Sequence, residues 1–569
     1  MQPSIDQPTG DSARAWRRYG PIVAVLVVVA VVAGVVLAGG KAKKTTSATS
    51  SPTSSGAAPS TLTTGAISYS EAQKEGKKID FGPTCDTSTG HIAMPDFVAP
   101  ECYAPLANNG ASAPGVTATS INVVLYEAEP NDPVINYVEG AIKDPDTPAQ
   151  VEETYRGYVK LFEHFYNTYG RKVNLEVLHA SGLATDEVAA RADAVKAATQ
   201  LNAFAVWGGP ALTTAWADEL GARHVVCLGC TAGNTPDWFT TRPTVFPILE
   251  SAQQAQAATI DYLTKEVAGR PASHAGDPAF TTKPRKFGYL YINTDVTSAQ
   301  LADQFTSQMS AKGYPMAATV AYTLDPARLQ EQAASVIAKM KSAGVTTVIF
   351  SGDPVAPATF TKEATAQQYF PEWVLAGTVL ADTTAFARTY DQKQWAHAFG
   401  FSALTARIAL SESAPYKLYQ WGLGTPPPAA IGAAVIYPQP SLFYRALQAA
   451  GPSLTPDNFR LGIFAFPRLP EALTQAEITF GNVGIWPYTD YNGIDDGTEV
   501  WWNPTATGPD EVGRNGTGMY EYVEGGARYV AGQWPSQDSK AFVTANAVTI
   551  YATVPPSETP KQYPSPSGL

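Results

Sequence analysis

The sequence predicts an α/β protein built from two doubly wound, largely parallel sheets. Three observations carry this. Apolar runs at 203–207 (AFAVW) and 224–228 (HVVCL) each break on glycine, at Gly208-Gly209-Pro210 and at Gly229. Segments of helical length separate such runs, as crossover helices separate buried parallel strands. After Pro247 the same rhythm restarts at 286–292 (KFGYLYI).

Taken in order, residues 1–20 are polar and carry Arg14, Arg17 and Arg18. Residues 21–40 are an uncharged run of Val, Ala, Leu, Ile and Gly. About 20 such residues suffice to span a bilayer, whereas the apolar core of a cleaved signal runs about 7–15. The run therefore reads as an uncleaved signal anchor: a single-pass transmembrane helix with residues 1–20 cytoplasmic. The alternative is a cleaved signal, for which Ala38-Gly39-Gly40 offers small residues. Lys41, Lys43 and Lys44 lie on the far side and weaken the charge argument for orientation. Residues 41–70, rich in Ser and Thr, have little to bury and are expected to be a disordered linker.

Four cysteines in a chain expected outside the cytoplasm allow two disulfides, with Cys85–Cys102 closing a small loop. Cys227 and Cys230 have CxxC spacing but straddle a strand end instead of opening a helix. That favours a structural disulfide or buried thiols over a redox pair. A zinc site is not completed by any second CxxC or nearby HxxxH.

The first lobe is expected over 115–250, with a strand at 121–126, a helix at 148–169, a strand at 173–179, a helix at 186–201 and the two strands already named. The second lobe is expected over 251–380. It holds helices at 251–267, 297–312 and 326–343, the last with Asp325 as N-cap, and strands at 286–292, within 316–323, at 346–350 and at 373–376. Residues 381–554 then return to the first lobe, with a helix near 429–450, and add a C-terminal extension. Within it, 478–554 reads as short strands and loops, and 555–569 as a tail.

The order of pieces is more specific than any one of them. The turn after the 224–228 run is Gly229-Cys230-Thr231-Ala232-Gly233-Asn234-Thr235-Pro236, and 238–247 leads out of it. Residues 413–419 (SAPYKLY) precede Pro426-Pro427-Pro428, and Thr455-Pro456-Asp457-Asn458-Phe459 opens a late helix. This arrangement resembles the type I periplasmic binding proteins, the branched-chain amino-acid-binding receptors of ABC transporters. The resemblance implies two lobes joined by a hinge that capture a small polar organic ligand for an ABC-type permease, with no catalysis and no cofactor. It places the large domain outside the cytoplasm at the cell membrane.

Ligands of open α/β sheets sit beyond the carboxyl ends of the strands. The candidate ligand-binding residues are therefore Tyr126, Glu127, Gly208, Gly209, Thr213, Cys230 and Thr231 from the first lobe. From the second they are Tyr291, Asn293, Asp295, Ser351 and Asp353. Amides and hydroxyls there suit a carboxylate, and aromatic rings suit an apolar body. Amino-acid-binding relatives carry an acid a few positions after the second lobe's Gly-rich turn. Here Val355-Ala356-Pro357 stands there, which weighs against an α-amino acid.

The net charge of −12 lacks the clustered Lys and Arg that nucleic acid demands. No GxSxG, Walker loop or HExxH supports an enzyme. Two rivals stay open: a sensor or accessory protein of the same fold, and an extracellular enzyme with its site in the Trp/Tyr-rich C-terminal portion.

Overall fold

A computed structural model describes residues 64–569 apart from positions 211, 232, 233, 294, 295, 326, 378, 379, 470 and 567. The expected cytoplasmic segment, transmembrane helix and most of the linker lie outside the described residues, as does Asp295. Among the described residues no helix is long and apolar enough to cross a membrane.

After helix Tyr69–Lys74, a small hairpin of β1 (Cys85–Asp86) and β2 (His91–Ile92) is tied down by the Cys85–Cys102 disulfide. The first large sheet follows: β3 (Ser120–Glu127), β4 (Lys172–His179), β5 (Ala205–Trp207), β6 (Val226–Leu228) and β7 (Val245–Phe246), all parallel in the order β4-β3-β5-β6-β7. Every residue of β5 and β6 is buried, which is why these strands read as unbroken apolar runs. Helix Pro148–Phe165 begins at a capping box in which Thr147 and Gln150 satisfy each other's free amides. It lays Val151, Tyr155, Tyr158 and Phe162 into the core, together with residues of helices Ala414–Leu423, Pro438–Ala449 and Pro456–Phe464.

The second sheet contains β8 (Phe287–Ile292), β9 (Ala318–Tyr322), β10 (Thr347–Ser351), β11 (Glu372–Ala376), β12 (Ala398–Ser402), β13 (Asp496–Pro509), β14 (Asn515–Tyr522) and β15 (Arg528–Val530). Its order is β14-β13-β12-β11-β10-β8-β9, with β15 also on β13; β8 to β12 are parallel, and β13 pairs antiparallel with β12, β14 and β15. Both parallel cores thus share one winding, second strand, first, third, fourth, fifth. Each reverses beside its first strand, at β3/β5 and at β8/β10, where a crevice for a ligand forms.

Three expectations need correction. The second sheet does not end near 380, because β12 and the β13–β14 hairpin extend it, and β13 is 14 residues long where short strands were expected. The helix expected over 429–450 is two pieces, Ala433–Ile436 and Pro438–Ala449: Pro438 lacks the amide to continue the first and opens the second. Asp325 does not cap the helix that starts at Leu329; its carboxylate accepts from the Ala327 amide within the preceding turn.

Four crossings join the lobes, at 247–251, 403–413, 465–495 and 549–560. They are bonded to one another. Ile494 donates its amide to Ile248 O (2.9 Å), and Ala406 donates to Leu473 O (3.1 Å). Arg528 grips Asp496 through Nη2 (2.7 Å) and Nε (3.0 Å), and donates to the carbonyls of Ala403 (2.9 Å) and Leu404 (2.7 Å). The lobes also touch beyond the crossings, where Ile135 and Ile142 of helix Pro133–Ile142 are buried with Leu380 and Phe386 of the second lobe.

Candidate functional site

At the carboxyl ends of the second sheet's parallel strands lies a cavity of about 110 Å³. Its walls come from the ends of β8 (Tyr291, Ile292), β10 (Ser351) and β11 (Ala376, Gly377), and from the first two crossings. Helix Ala252–Tyr262 opens against it. Ser251 accepts from the Gln254 amide (3.1 Å) while Gln254 Oε1 accepts from the Ser251 amide (2.7 Å). The free end of Gln254 donates to Asp490 (2.9 Å), tying this helix start to the third crossing.

One wall is aromatic. Tyr291 stacks on Tyr289 with centroids 5.6 Å apart, and Tyr289 stacks on Phe305 at 4.4 Å. The other feature is charge. Asp382 is 4% exposed; its Oδ2 accepts from the Ser402 hydroxyl, and among the described residues Oδ1 has no hydrogen-bond partner. Burial pushes its carboxyl up to about 7, with Glu511 adding to the rise and the Ser402 hydroxyl opposing it. Glu250, on the first crossing, also lines the cavity; burial lifts it well above the carboxylate range against the pull of Arg528. On the third crossing Asp490 and Asp495 are likewise raised by burial, to about 6 and about 8. The site is thus an apolar, aromatic-walled pocket with two carboxyl groups and little to neutralise them.

The first-lobe candidates lie together on one rim, but their polar groups serve the lobe itself, and none lines this cavity. Gly208, at φ 77°, donates to Leu228 O (3.0 Å) and accepts from Trp216 Nε1 (3.2 Å). A Cβ on Gly209 would stand 2.7 Å from Cys230 O, so the two loops abut and the position excludes a side chain. Tyr126 is buried against Trp216, with centroids 4.8 Å apart. Glu127 pairs with His179 at 3.0 Å, its carboxyl raised by burial more than His179 lowers it. Thr213 accepts from the Ala215 amide (3.1 Å) at a helix start, and Thr231 accepts from Asn234 Nδ2 (2.8 Å). Cys230 is bridged to Cys227 and offers no thiol.

In the second lobe Tyr291 and Ser351 line the cavity. Asn293 does not, although among the described residues its buried Oδ1 has no partner. Asp353 was expected to face the first lobe, but both its oxygens are engaged within its own lobe. Oδ2 accepts from Tyr322 OH (2.6 Å), and Oδ1 accepts from the amides of Val355 and Ala356 (2.8 Å each) that open helix Ala356–Ala366. Sequence reasoning missed Glu250, Ser251, Gln256 and Asp382. The signal for Ser251 was there: Ser251 followed by Gln254 ahead of an apolar stretch is a capping-box pattern.

Among the described residues no group of three or more His, Cys, Asp or Glu is placed to hold a metal ion.

A fold of two similarly wound lobes, linked by four crossings and with a pocket at the strand ends, is that of a two-lobed binding protein. A family model described as periplasmic binding protein matches residues 151–484, more than half of the chain, and the chain belongs to that family, in its type I class. Similar solved structures include a type 1 periplasmic binding protein from Bordetella pertussis Tohama I (14% identity, 67% of this chain and 96% of that chain, TM-score 0.45). Another is an ABC-transporter solute-binding protein from R. palustris in complex with 4-hydroxybenzoate (12%, 73% and 98%, TM-score 0.49). A third is the branched-chain amino acid transporter substrate-binding protein LivJ from Streptococcus pneumoniae in complex with isoleucine (12%, 71% and 100%, TM-score 0.47). No curated protein matches the chain.

Proposed function

We propose that the protein is an extracytoplasmic solute receptor, held to the membrane by residues 21–40, that captures a small organic ligand between its lobes for an ABC-type transporter. The reading assigns it no catalytic step. Its ligand enters the second-lobe cavity beside Tyr291, Ser351, Glu250 and Asp382. The first-lobe rim of Gly208, Gly209, Thr213 and Thr231 closes over it by motion at the crossings.

One observation carries the reading: Asp382 Oδ1, buried at the strand ends of a binding-protein fold, has no hydrogen-bond partner among the described residues. A buried carboxylate without a partner is costly, and a ligand N–H offsets that cost. The ligand therefore presents an ammonium, amidinium or guanidinium group to Asp382 and Glu250 and a compact apolar part to the tyrosines.

The test is native mass spectrometry of the gently purified full chain, then calorimetry with a panel of organic amines and guanidines and their uncharged analogues. Expected are a retained or added amine and a loss of about tenfold or more in affinity in Asp382→Asn, since a hydrogen bond to a charged group contributes about 1.5–3 kcal/mol. Failure of every panel member to bind, or equal affinity for charged and uncharged members, would overturn the assignment.

A further inference from the structure

A second cavity, sharing no residue with the first, lies between the N-terminal hairpin, helix Pro438–Ala449 and the C-terminal tail. Its volume is about 770 Å³. An adjoining cavity of about 650 Å³ has Ile92, Tyr103, Gln448 and Tyr563 in common with its wall, and the pair makes a two-part trough. Most of its wall is apolar, including Met94, Phe97, Phe466 and Leu469 in one part and Phe81 and Phe165 in the other.

Arg445 stands in this trough. Its guanidinium lies 4.7 Å from the Phe466 ring centroid, and its buried Nε has no hydrogen-bond acceptor among the described residues. The other lining cations are paired with carboxylates, and the two lining carboxylates, Asp96 and Glu101, accept from neutral groups. Arg468 holds Glu477 (2.6 Å), and Lys561 holds Asp86. Asp96 accepts from Tyr437 OH (2.9 Å) and the Val98 amide (3.1 Å), and Glu101 accepts from the Ser70 amide (2.5 Å). His91 Nδ1 is bonded to Ala99 O (2.7 Å). Among the described residues no carboxylate forms an ion pair with Arg445. Two nearly fully buried side chains in the trough's wall also keep unpartnered atoms: Tyr166 OH (residue 4% exposed) and Gln448 Oε1 (residue 1% exposed).

We propose that this trough binds an amphiphile with a single anionic head group, the head seated on Arg445 and the apolar body lying along the trough. A planar guanidinium over an aromatic ring, with no acid of its own, suits a carboxylate or phosphate taken bidentately. The Tyr166 hydroxyl supplies a further donor. The volume is that of a pocket for a medium-sized organic molecule, and its mostly apolar wall with one charge at a fixed place matches such a ligand's two ends.

The experiment uses the full-length protein in lipid nanodiscs, with empty nanodiscs as the blank, titrated calorimetrically with octanoate, octyl phosphate and the uncharged octanamide. The proposal expects at least one anionic probe to bind about tenfold or more tightly than octanamide, with that preference lost in Arg445→Gln and weakened but still present in Arg445→Lys. A better fit for octanoate points to a free fatty-acid-like ligand, and for octyl phosphate to a lipid-phosphate-like one. No preference for an anion, no binding of any probe, or an Arg445→Gln protein that retains the preference would each overturn it. The Arg445→Lys variant separates loss of charge from loss of fold.

Discussion

The charge at Asp382 sets the pH behaviour of the cleft. With its carboxyl at about 7, it is largely neutral at pH 6 and largely ionised at pH 8. A cationic ligand needs the ionised form, so its affinity should rise about tenfold from pH 6 to pH 8. A trend in the opposite direction, read by calorimetry, would mean an anionic ligand. The sign for folding differs. A carboxyl raised in the folded state keeps its proton where the unfolded chain has lost it, so its contribution to stability declines from about pH 4 to about pH 7 and is level above that. Asp353 makes the contrast. Asp353→Ala removes the acceptor of the buried Tyr322 hydroxyl and of two helix-opening amides, and should cost about 2–4 kcal/mol in urea melts while leaving ligand affinity within about twofold. At the opposite ends of the strands, Arg285 and Glu372 form a fully buried two-pronged pair at 2.7 and 2.9 Å, which Thr347 also supports at 2.7 Å. Glu372→Ala should destabilise by about 3–5 kcal/mol, because it strands a buried guanidinium.

Elements were legible where burial makes composition simple. β5 and β6 are buried on both faces, so AVW and VCL stand out between glycines, and helix Pro148–Phe165 announces itself with a cap, a proline and an apolar stripe. β12 was not legible, because AFGFS is five residues long with a glycine at its centre. Nor was β13, whose DGTEVWWNPTATGP mixes charges, prolines and tryptophans; its strand character comes from pairing with β12, β14 and β15. Asp382 was hidden for the same reason. It lies six residues past the end of β11, and it is oriented by Ser402 at the end of a strand the sequence does not reveal. Tyr291 and Ser351, being themselves strand ends, were within reach. The crossings give an element-scale prediction. A Cβ on Gly493 would stand 2.4 Å from Ile248 O, so Gly493→Ala must force the first and third crossings apart. Faster amide exchange at Ile494, which donates to that same carbonyl, is the expected readout.

At the scale of the molecule, the shared winding of the two parallel cores places both switch points at carboxyl strand ends, and the bonded crossings bring those ends toward each other. The C-terminal hairpin then makes the lobes unequal by lengthening only the second sheet. Ligand binding should compact the molecule, read as a fall in radius of gyration by small-angle X-ray scattering with and without ligand. Gly493→Ala should reduce that fall, because the motion runs through the crossings it disturbs.

Thr64 donates its hydroxyl to Ala449 O (3.0 Å), and the tail is fastened nearby: Tyr563 OH donates to Asp86 (2.8 Å), and Trp421 Nε1 donates to Tyr563 O (2.9 Å). Both ends of the described chain are therefore moored to the first lobe. Tension applied through either end of the described chain thus enters the molecule at that lobe, and the second lobe, held through the crossings, lies beyond both moorings.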